Sequence, residues 1–192
     1  MKILIAYFSQ TGNTEKVARA IHAEVSSGGH EVHLKRINEI TSDSLNVYDL
    51  VFLGSACHDT ELARPAKRIL EEIDHSPTFK LAGFVTHATY TPEGGERERE
   101  IHEEWASRYI VSFNKASEEK RIGFLGYFSC QGAPSPPIEE FIRKTIVTDE
   151  DEWKEYIEQV RLHPNEEDLQ NAREFARMML SRFDGGRREN GQ

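Results

Sequence analysis

From residue 3 to residue 15 the chain reads Ile3-Leu4-Ile5-Ala6-Tyr7-Phe8-Ser9-Gln10-Thr11-Gly12-Asn13-Thr14-Glu15. Six apolar residues in a row suit a strand buried on both faces, as in a parallel sheet. A small polar turn follows. Val17, Ile21 and Val25 then recur at four-residue spacing, the stripe of an amphipathic helix, which stops at Gly28-Gly29. The polar hexapeptide therefore joins the end of a strand to the start of a helix. A helix N-terminus carries N–H groups without intrahelical partners and a partial positive charge, so anions bind there readily. Gly12 lets the backbone curl around a ligand, Ser9, Thr11 and Thr14 add hydroxyls, and Asn13 adds an amide. That is more than one helix cap needs. The hexapeptide holds no Lys or Arg, so a phosphate here is held by neutral donors. Neither G-x-x-x-x-G-K-[ST] nor G-x-G-x-x-G is present after this strand. Gly54-Ser55 stands where a response-regulator phosphoacceptor would need Asp.

Working outward, residues 31–37 alternate apolar and polar and read as a shorter, edge-like second strand. Residues 49–54 form a third strand, followed by a small-residue loop, Ser55-Ala56-Cys57-His58. Ala63, Ala66, Ile69, Leu70 and Ile73 mark a helix, and residues 81–86 a fourth strand. Its exit is a long loop that begins Thr86-His87-Ala88-Thr89-Tyr90. One charged helix then carries Ile101, Trp105, Tyr109 and Phe113, and residues 122–130 form a fifth strand. Strands alternating with helices predict a doubly wound α/β sheet. Residues 134–164 read as a short helical piece and a surface excursion, away from any phosphate site, covering a sheet edge or a subunit contact. Residues 165–182 form a last helix, started by a capping pair of Asn165 and Asp168. Its stripe is Leu169, Ala172, Phe175, Ala176, Met179 and Phe183. The whole is read as a single domain over residues 1–184 with a frayed tail at 185–192.

The 192 residues carry 24 Lys and Arg against 33 Asp and Glu, a net charge of -9. Such a chain repels nucleic acid and anionic membrane, so neither is an expected partner. The apolar start is too short for a signal segment or a membrane span, which points to the cytoplasm. Two cysteines, Cys57 and Cys130, cannot complete a four-cysteine metal or cluster site. No metal site is expected. In a sheet with one strand between them they stand about 10 Å apart, beyond disulfide reach.

The stretch Tyr7-Phe8-Ser9-Gln10-Thr11-Gly12-Asn13-Thr14-Glu15 resembles the phosphate loop of the flavodoxin family, whose pattern is hydroxyl-x-T-G-N-T. The resemblance extends over the order of elements to about residue 130, with a family-like last helix. It implies a five-stranded parallel sheet of order 2-1-3-4-5 that binds FMN noncovalently; the handling of FMN at the switch point between the first and third strands follows a general rule for open α/β sheets. Carried over by position, Ser9, Gln10, Thr11, Gly12, Asn13 and Thr14 hold the phosphate. The ring lies between Ser55-Ala56-Cys57-His58 and Thr86-His87-Ala88-Thr89-Tyr90. The implied role is an electron carrier between redox partner proteins or small-molecule acceptors, with a homo-oligomer left open. The enzyme alternative is an NAD(P)H- or quinone-linked FMN reductase, and a third is a regulatory or structural flavoprotein. Three features depart from many flavodoxins. The first ring loop has no Trp or Tyr, the second lacks an acidic Gly-Asp segment, and residues 134–164 are extra.

Within these loops Tyr90 is a candidate to stack on the ring. His58 and His87 are candidates to donate to a ring oxygen or to change charge near neutral pH. Cys57 reads as a small residue permitting close approach, with redox activity as the sharper alternative. Trp105 and Trp153 read as packing residues away from the ring loops. The charges of residues 93–104 read as a solvated helix face. No basic cluster adjoins the ring loops, Arg64 being the nearest candidate, which favours the carrier over a nicotinamide-linked enzyme.

Overall fold

The computed structural model describes residues 1–189 and the side chains of residues 1–185. Strand β1 (Lys2–Tyr7) runs between β2 (Glu31–Arg36) and β3 (Leu50–His58), and β5 (Lys80–His87) and β6 (Gly123–Gln131) continue the sheet. All five are parallel, in the order β2-β1-β3-β5-β6, and a two-residue strand β4 (Glu61–Leu62) folds back antiparallel onto β3. The predicted doubly wound sheet of order 2-1-3-4-5 is present, with β4 as an addition.

Period-two geometry divides the central strands between two cores. Ile3, Ile5, Leu50, Phe52 and Phe84 join α1 (Asn13–Ser27) and α7 (Glu166–Glu189) on one face. Leu4, Ala6, Val51, Leu53 and Leu81 join α2 (Arg64–Glu72) and α4 (Arg108–Lys120) on the other. Both faces being covered explains the unbroken apolar run of β1. Where β3 nears the functional edge, Gly54 lies under the Phe84 ring. A Cβ there would sit 2.1 Å from Phe84 Cζ, so any side chain overpacks this point, typically at about 1–3 kcal/mol.

Four expectations are corrected. The charged helix is two helices, α3 (Glu96–Ala106) and α4, broken at Ser107, whose hydroxyl donates to Glu103 O at 2.6 Å. The break lets Tyr109 and Phe113 enter the core while Trp105 packs edge-on against Phe141 at 5.5 Å. Residues 134–164 are not irregular. They form α5 (Pro136–Thr145) and α6 (Glu150–Val160), with a small core of Ile142, Val147, Trp153, Tyr156, Ile157 and Val160. Ala88 and Tyr90 pack against that core, and Tyr156 stands between Tyr90 and Trp153, with ring contacts to both. The residues read as a loop after the third strand are still strand. β3 runs to His58 and turns through Asp59 and Thr60, at φ 48° and 70°, into β4. Finally, α7 continues to Glu189, past the start of the expected frayed tail; residues 190–192 lie outside the described residues. The cap of α7 is as read. Asn165 N donates to Asp168 Oδ2 at 2.8 Å and Asp168 N to Asn165 Oδ1 at 3.0 Å. Asp serves in place of the usual Glu because it closes the same reciprocal pair.

Candidate functional site at the carboxyl edge of the sheet

In an open α/β sheet the ligand crevice lies beyond the carboxyl ends of the strands, where the strand order reverses. Here that point lies between β1 and β3. Gly12 precedes α1 at φ 94°, a left-handed conformation that an L side chain rarely adopts. Its N–H donates to Ser9 Oγ at 3.1 Å, which curls the loop. Asn13 Nδ2 donates to Thr11 Oγ1 at 3.1 Å and to Ala133 O at 2.8 Å, and Thr14 Oγ1 shares a 2.8 Å hydrogen bond with Thr86 Oγ1. The loop thus has two kinds of residue. Asn13 and Thr14 are buried braces. Gln10 and Thr11 are exposed and Ser9 is half-buried; the Ser9 and Thr11 oxygens accept within the loop, which leaves their O–H groups, Gln10 and the backbone N–H groups at the start of α1 to meet an anion. Glu15 sits in the first turn, and its carboxylate is bound by Arg19 at 2.7 Å and Arg36 at 2.6 Å. The Arg19 hydrogen bond leads in holding this carboxyl below its ordinary range. Arg36, 5.8 Å from the Tyr7 ring centroid, is a cation near the loop that its sequence position, at the end of β2, did not betray.

The cleft next to this loop is lined by Gln10, Thr11 and Asn13, by Ala56, Cys57 and His58 from β3, and by Thr86, His87 and Ala88 from β5. Three segments distant in sequence meet at this cleft. A fourth wall completes the cleft. Gly132, Ala133, Pro134, Ser135 and Ile138, which follow the end of β6, also line the cleft. Ala133 N donates to His163 O at 2.9 Å, so both ends of the α5–α6 insertion are tied together beside Asn13. The base of the insertion borders the cleft, which corrects its expected placement away from the site.

Other candidates are placed differently. Ser55 is buried. Its hydroxyl donates to Ala56 O at 2.7 Å and accepts from Ala63 N at 2.9 Å, a brace beneath the β3 end. His58 meets the Phe8 ring edge-on at 6.0 Å, giving the β3 side an aromatic neighbour from the end of β1. Cys57 and Cys130 are free thiols. Burial first, and then Glu61 and Asp59, push the Cys57 thiol up to about 12, and burial also pushes Cys130 up. A protonated thiol is a poor nucleophile, so Cys57 serves as a small wall residue. Tyr90 does not line the cleft. Its ring packs on Tyr156 at 5.1 Å, its hydroxyl donates to Glu152 Oε1 at 2.8 Å, and it lines a separate cavity of about 460 Å³ between α3 and α6. The α6 residues that attract it could not be assigned to it from sequence spacing.

The β5 loop is held from several sides. Tyr156 Oη donates to Ala88 O, Gln131 Nε2 donates to Thr89 O at 2.8 Å, and Thr89 Oγ1 lies 3.2 Å from His87 Nδ1. His102 of α3 donates from Nδ1 to Tyr90 O at 2.9 Å and meets the His87 ring at 4.8 Å. Burial first, then His102, push the His87 imidazolium down to about 3, so His87 is neutral rather than switching near pH 7. Its Nε2 is buried and has no hydrogen-bond partner among the described residues. A cleft with exposed hydroxyl and amide groups at one end and small residues such as Ala56, Cys57, Ala88 and Ala133 along its walls suits a phosphate-bearing ligand with a flat body. Among the described residues no group of three or more His, Cys, Asp and Glu side chains is placed to hold a metal ion, and no helix is long and apolar enough to cross a membrane.

The comparisons with known proteins agree with this geometry. The model of the flavodoxin domain family matches residues 4–177. The flavodoxin-like domain-containing protein BilS of Clostridioides difficile is 29% identical over 189 residues, covering 94% of this chain and 97% of that protein. An NAD(P)H dehydrogenase (quinone) of Brucella anthropi is 25% identical over 57% of this chain and 67% of that protein. Among solved structures, oxidised flavodoxin 2 from Bacillus cereus superposes with a TM-score of 0.59 at 22% identity, covering 94% of this chain and 99% of that one. The phosphate-type loop, the strand order and the family match over nearly the whole length converge, and the chain belongs to the flavodoxin domain family.

Proposed function

We propose that the protein binds FMN and carries electrons between redox partners. The observation that carries the reading is the loop of residues 9–14, curled by Gly12 at the switch point beside a cleft built from the β3 and β5 ends. The phosphate takes the O–H donors of Ser9 and Thr11 and the N–H groups of the α1 backbone, and the ring takes the cleft between Ala56-Cys57-His58 and Thr86-His87-Ala88. FMN supplies the redox chemistry, while the protein supplies binding, orientation and electrostatics.

Two features favour a carrier over a nicotinamide-linked reductase. Among the described residues the cleft lining contains no Lys or Arg, so none of them grips a dinucleotide pyrophosphate. The cavity is about 70 Å³, below the ~300–1,000 Å³ of pockets that enclose a whole small molecule. A flat ligand is therefore held at one edge and left open at another, as electron transfer to a partner requires. The reductase reading is supported by the similarity to the Brucella dehydrogenase.

The test is reconstitution with FMN and with riboflavin, followed by anaerobic reduction monitored by absorbance. A carrier binds about one FMN per chain, takes electrons one at a time from dithionite, and oxidises neither NADH nor NADPH at a significant rate. Rapid nicotinamide turnover with a quinone acceptor would establish the reductase instead. Riboflavin bound as tightly as FMN would sink the phosphate-loop argument.

A further inference from the structure

We propose that α5 and the carboxyl-terminal half of α3 form the docking surface for a redox partner protein that presents an apolar centre ringed by Lys and Arg. The inference rests on the electron-carrier reading and adds to it the place and the chemistry of the partner.

On α5, Ile138 and Phe141 stand three residues apart and so share one helix face. They are 46% and 43% exposed. Ile138 also lines the cleft, and Phe141 meets Trp105 of α3 at 5.5 Å. An apolar strip therefore starts in the wall of the cleft and runs over the insertion to α3. Large apolar side chains left in water beside a site of chemistry mark an interaction surface.

Charge chooses the occupant. Residues 93–104 hold six acidic and two basic side chains, and residues 134–164 hold eight acidic and four basic ones. Each segment has a net charge of -4, and together they carry -8 of the chain's -9. The four basic groups of the insertion are spent on its own carboxylates: Arg143 on Glu150, Lys144 on Glu140, Lys154 on Asp151 and Arg161 on Glu139. Glu103 and Glu104, next to Trp105 on α3, are exposed and have no ion-pair partner among the described residues. A second copy of this chain would set these like charges against one another, which opposes its docking. A partner with Lys and Arg around an apolar centre matches both the strip and its rim. Seated there, it lies beside the cleft that takes the flavin ring.

The test follows electron transfer, by stopped flow, from the dithionite-reduced FMN-loaded protein to cytochrome c, a basic haem protein. Each ferric haem takes one electron from the flavin and becomes ferrous, so one fully reduced FMN reduces two haems. Ferricyanide, a small anion that needs no docking surface, reports on the flavin alone. The second-order rate with cytochrome c falls about tenfold between low salt and about 0.3 M salt, as steered association does. Phe141→Ser lowers the low-salt rate about fivefold, the loss expected of an aromatic anchor. Replacing Glu103 and Glu104 together by Gln lowers it about threefold, as removal of rim charges does. FMN affinity and the ferricyanide rate stay as in the wild type. The glutamine pair alters exposed side chains only, so the test stands even where Phe141→Ser folds poorly. Glu71 and Glu118 are exposed near the last turns of α2 and α4. Replacing both by Gln makes the same change in net charge there and leaves the cytochrome c rate nearly unchanged. A rate indifferent to both docking variants, equal losses for the two glutamine pairs, or a rate that rises with salt overturns the proposal. So does a dimer in sedimentation velocity that Phe141→Ser dissociates, which assigns the strip to a second copy. If the wild type binds no FMN, the carrier reading falls and this inference with it; if it binds FMN and reduces ferricyanide while the cytochrome c rate ignores the variants, this inference alone falls.

Discussion

Replacing Thr14 by Val should destabilise the protein by about 2 kcal/mol, and replacing both Thr14 and Thr86 by Val should cost no more than that. The two hydroxyls lie 2.8 Å apart and share one hydrogen bond. Thr14 is 1% exposed and Thr86 5%, so water cannot replace either partner. Removing one hydroxyl leaves the other buried and unpaired, which costs about 1–3 kcal/mol; removing both leaves two apolar groups of matching shape, which is close to neutral. With each single substitution costing about 2 kcal/mol and the double between neutral and about 2, the coupling in the double-mutant cycle is about 2–4 kcal/mol, at the upper end of the range for contacting residues or above it. For a chain of this size each single substitution lowers the melting temperature by about 4–8 °C. Urea unfolding of the flavin-free proteins, fitted with a common m-value, measures the cycle. Additive losses in the double variant would refute the reasoning, because they would mean that the two hydroxyls satisfy each other in neither variant nor wild type. The same experiment separates folding from binding: Thr14, unlike Thr11, owes its main cost to the bond that pins α1 to β5.

Gly12→Ala should weaken FMN severalfold and lower stability by about 1–2 kcal/mol, since φ 94° opposes a Cβ even though nothing lies within 4 Å of it; equal affinities by fluorescence titration would remove the loop's backbone from the binding argument. Cys57 should alkylate slowly, with no rise in iodoacetamide rate attributable to its thiolate below about pH 10, given a thiol pushed up to about 12; a fast reaction near neutrality, mapped by peptide mass, would contradict its burial. Glu152 receives Arg97 and the Tyr90 hydroxyl, and the Arg97 contact leads in lowering its carboxyl below the ordinary range. Its contribution is therefore fully present above about pH 4.5 and lost as pH falls below that value. The acid side of the urea-midpoint profile should be flatter in Glu152→Gln, and an unchanged slope would show that the contact adds nothing to stability.

Local chemistry determined much of this protein. The apolar run of residues 3–8 has to be covered on both faces, and the polar turn with Gly12 has to start a helix. Those two facts, repeated along the chain as strand and helix alternate, lead to the parallel sheet and to the place of the site along its edge. The reciprocal cap at Asn165 and Asp168 was legible for the same reason: its partners lie three residues apart. Contacts between distant residues were not legible. Asn13 reaches Ala133, Thr14 reaches Thr86, and Tyr90 reaches Glu152 across 120, 72 and 62 residues. Residues that read alike in sequence were sorted by these contacts alone, so Thr11 faces outward while Thr14 is consumed as a brace. The burial of His87 against His102 likewise depends on where α3 packs, and burial decides whether an imidazole is charged. Side-chain type and spacing determined which groups stand at the edge of the sheet; packing decided which of them remain free to bind.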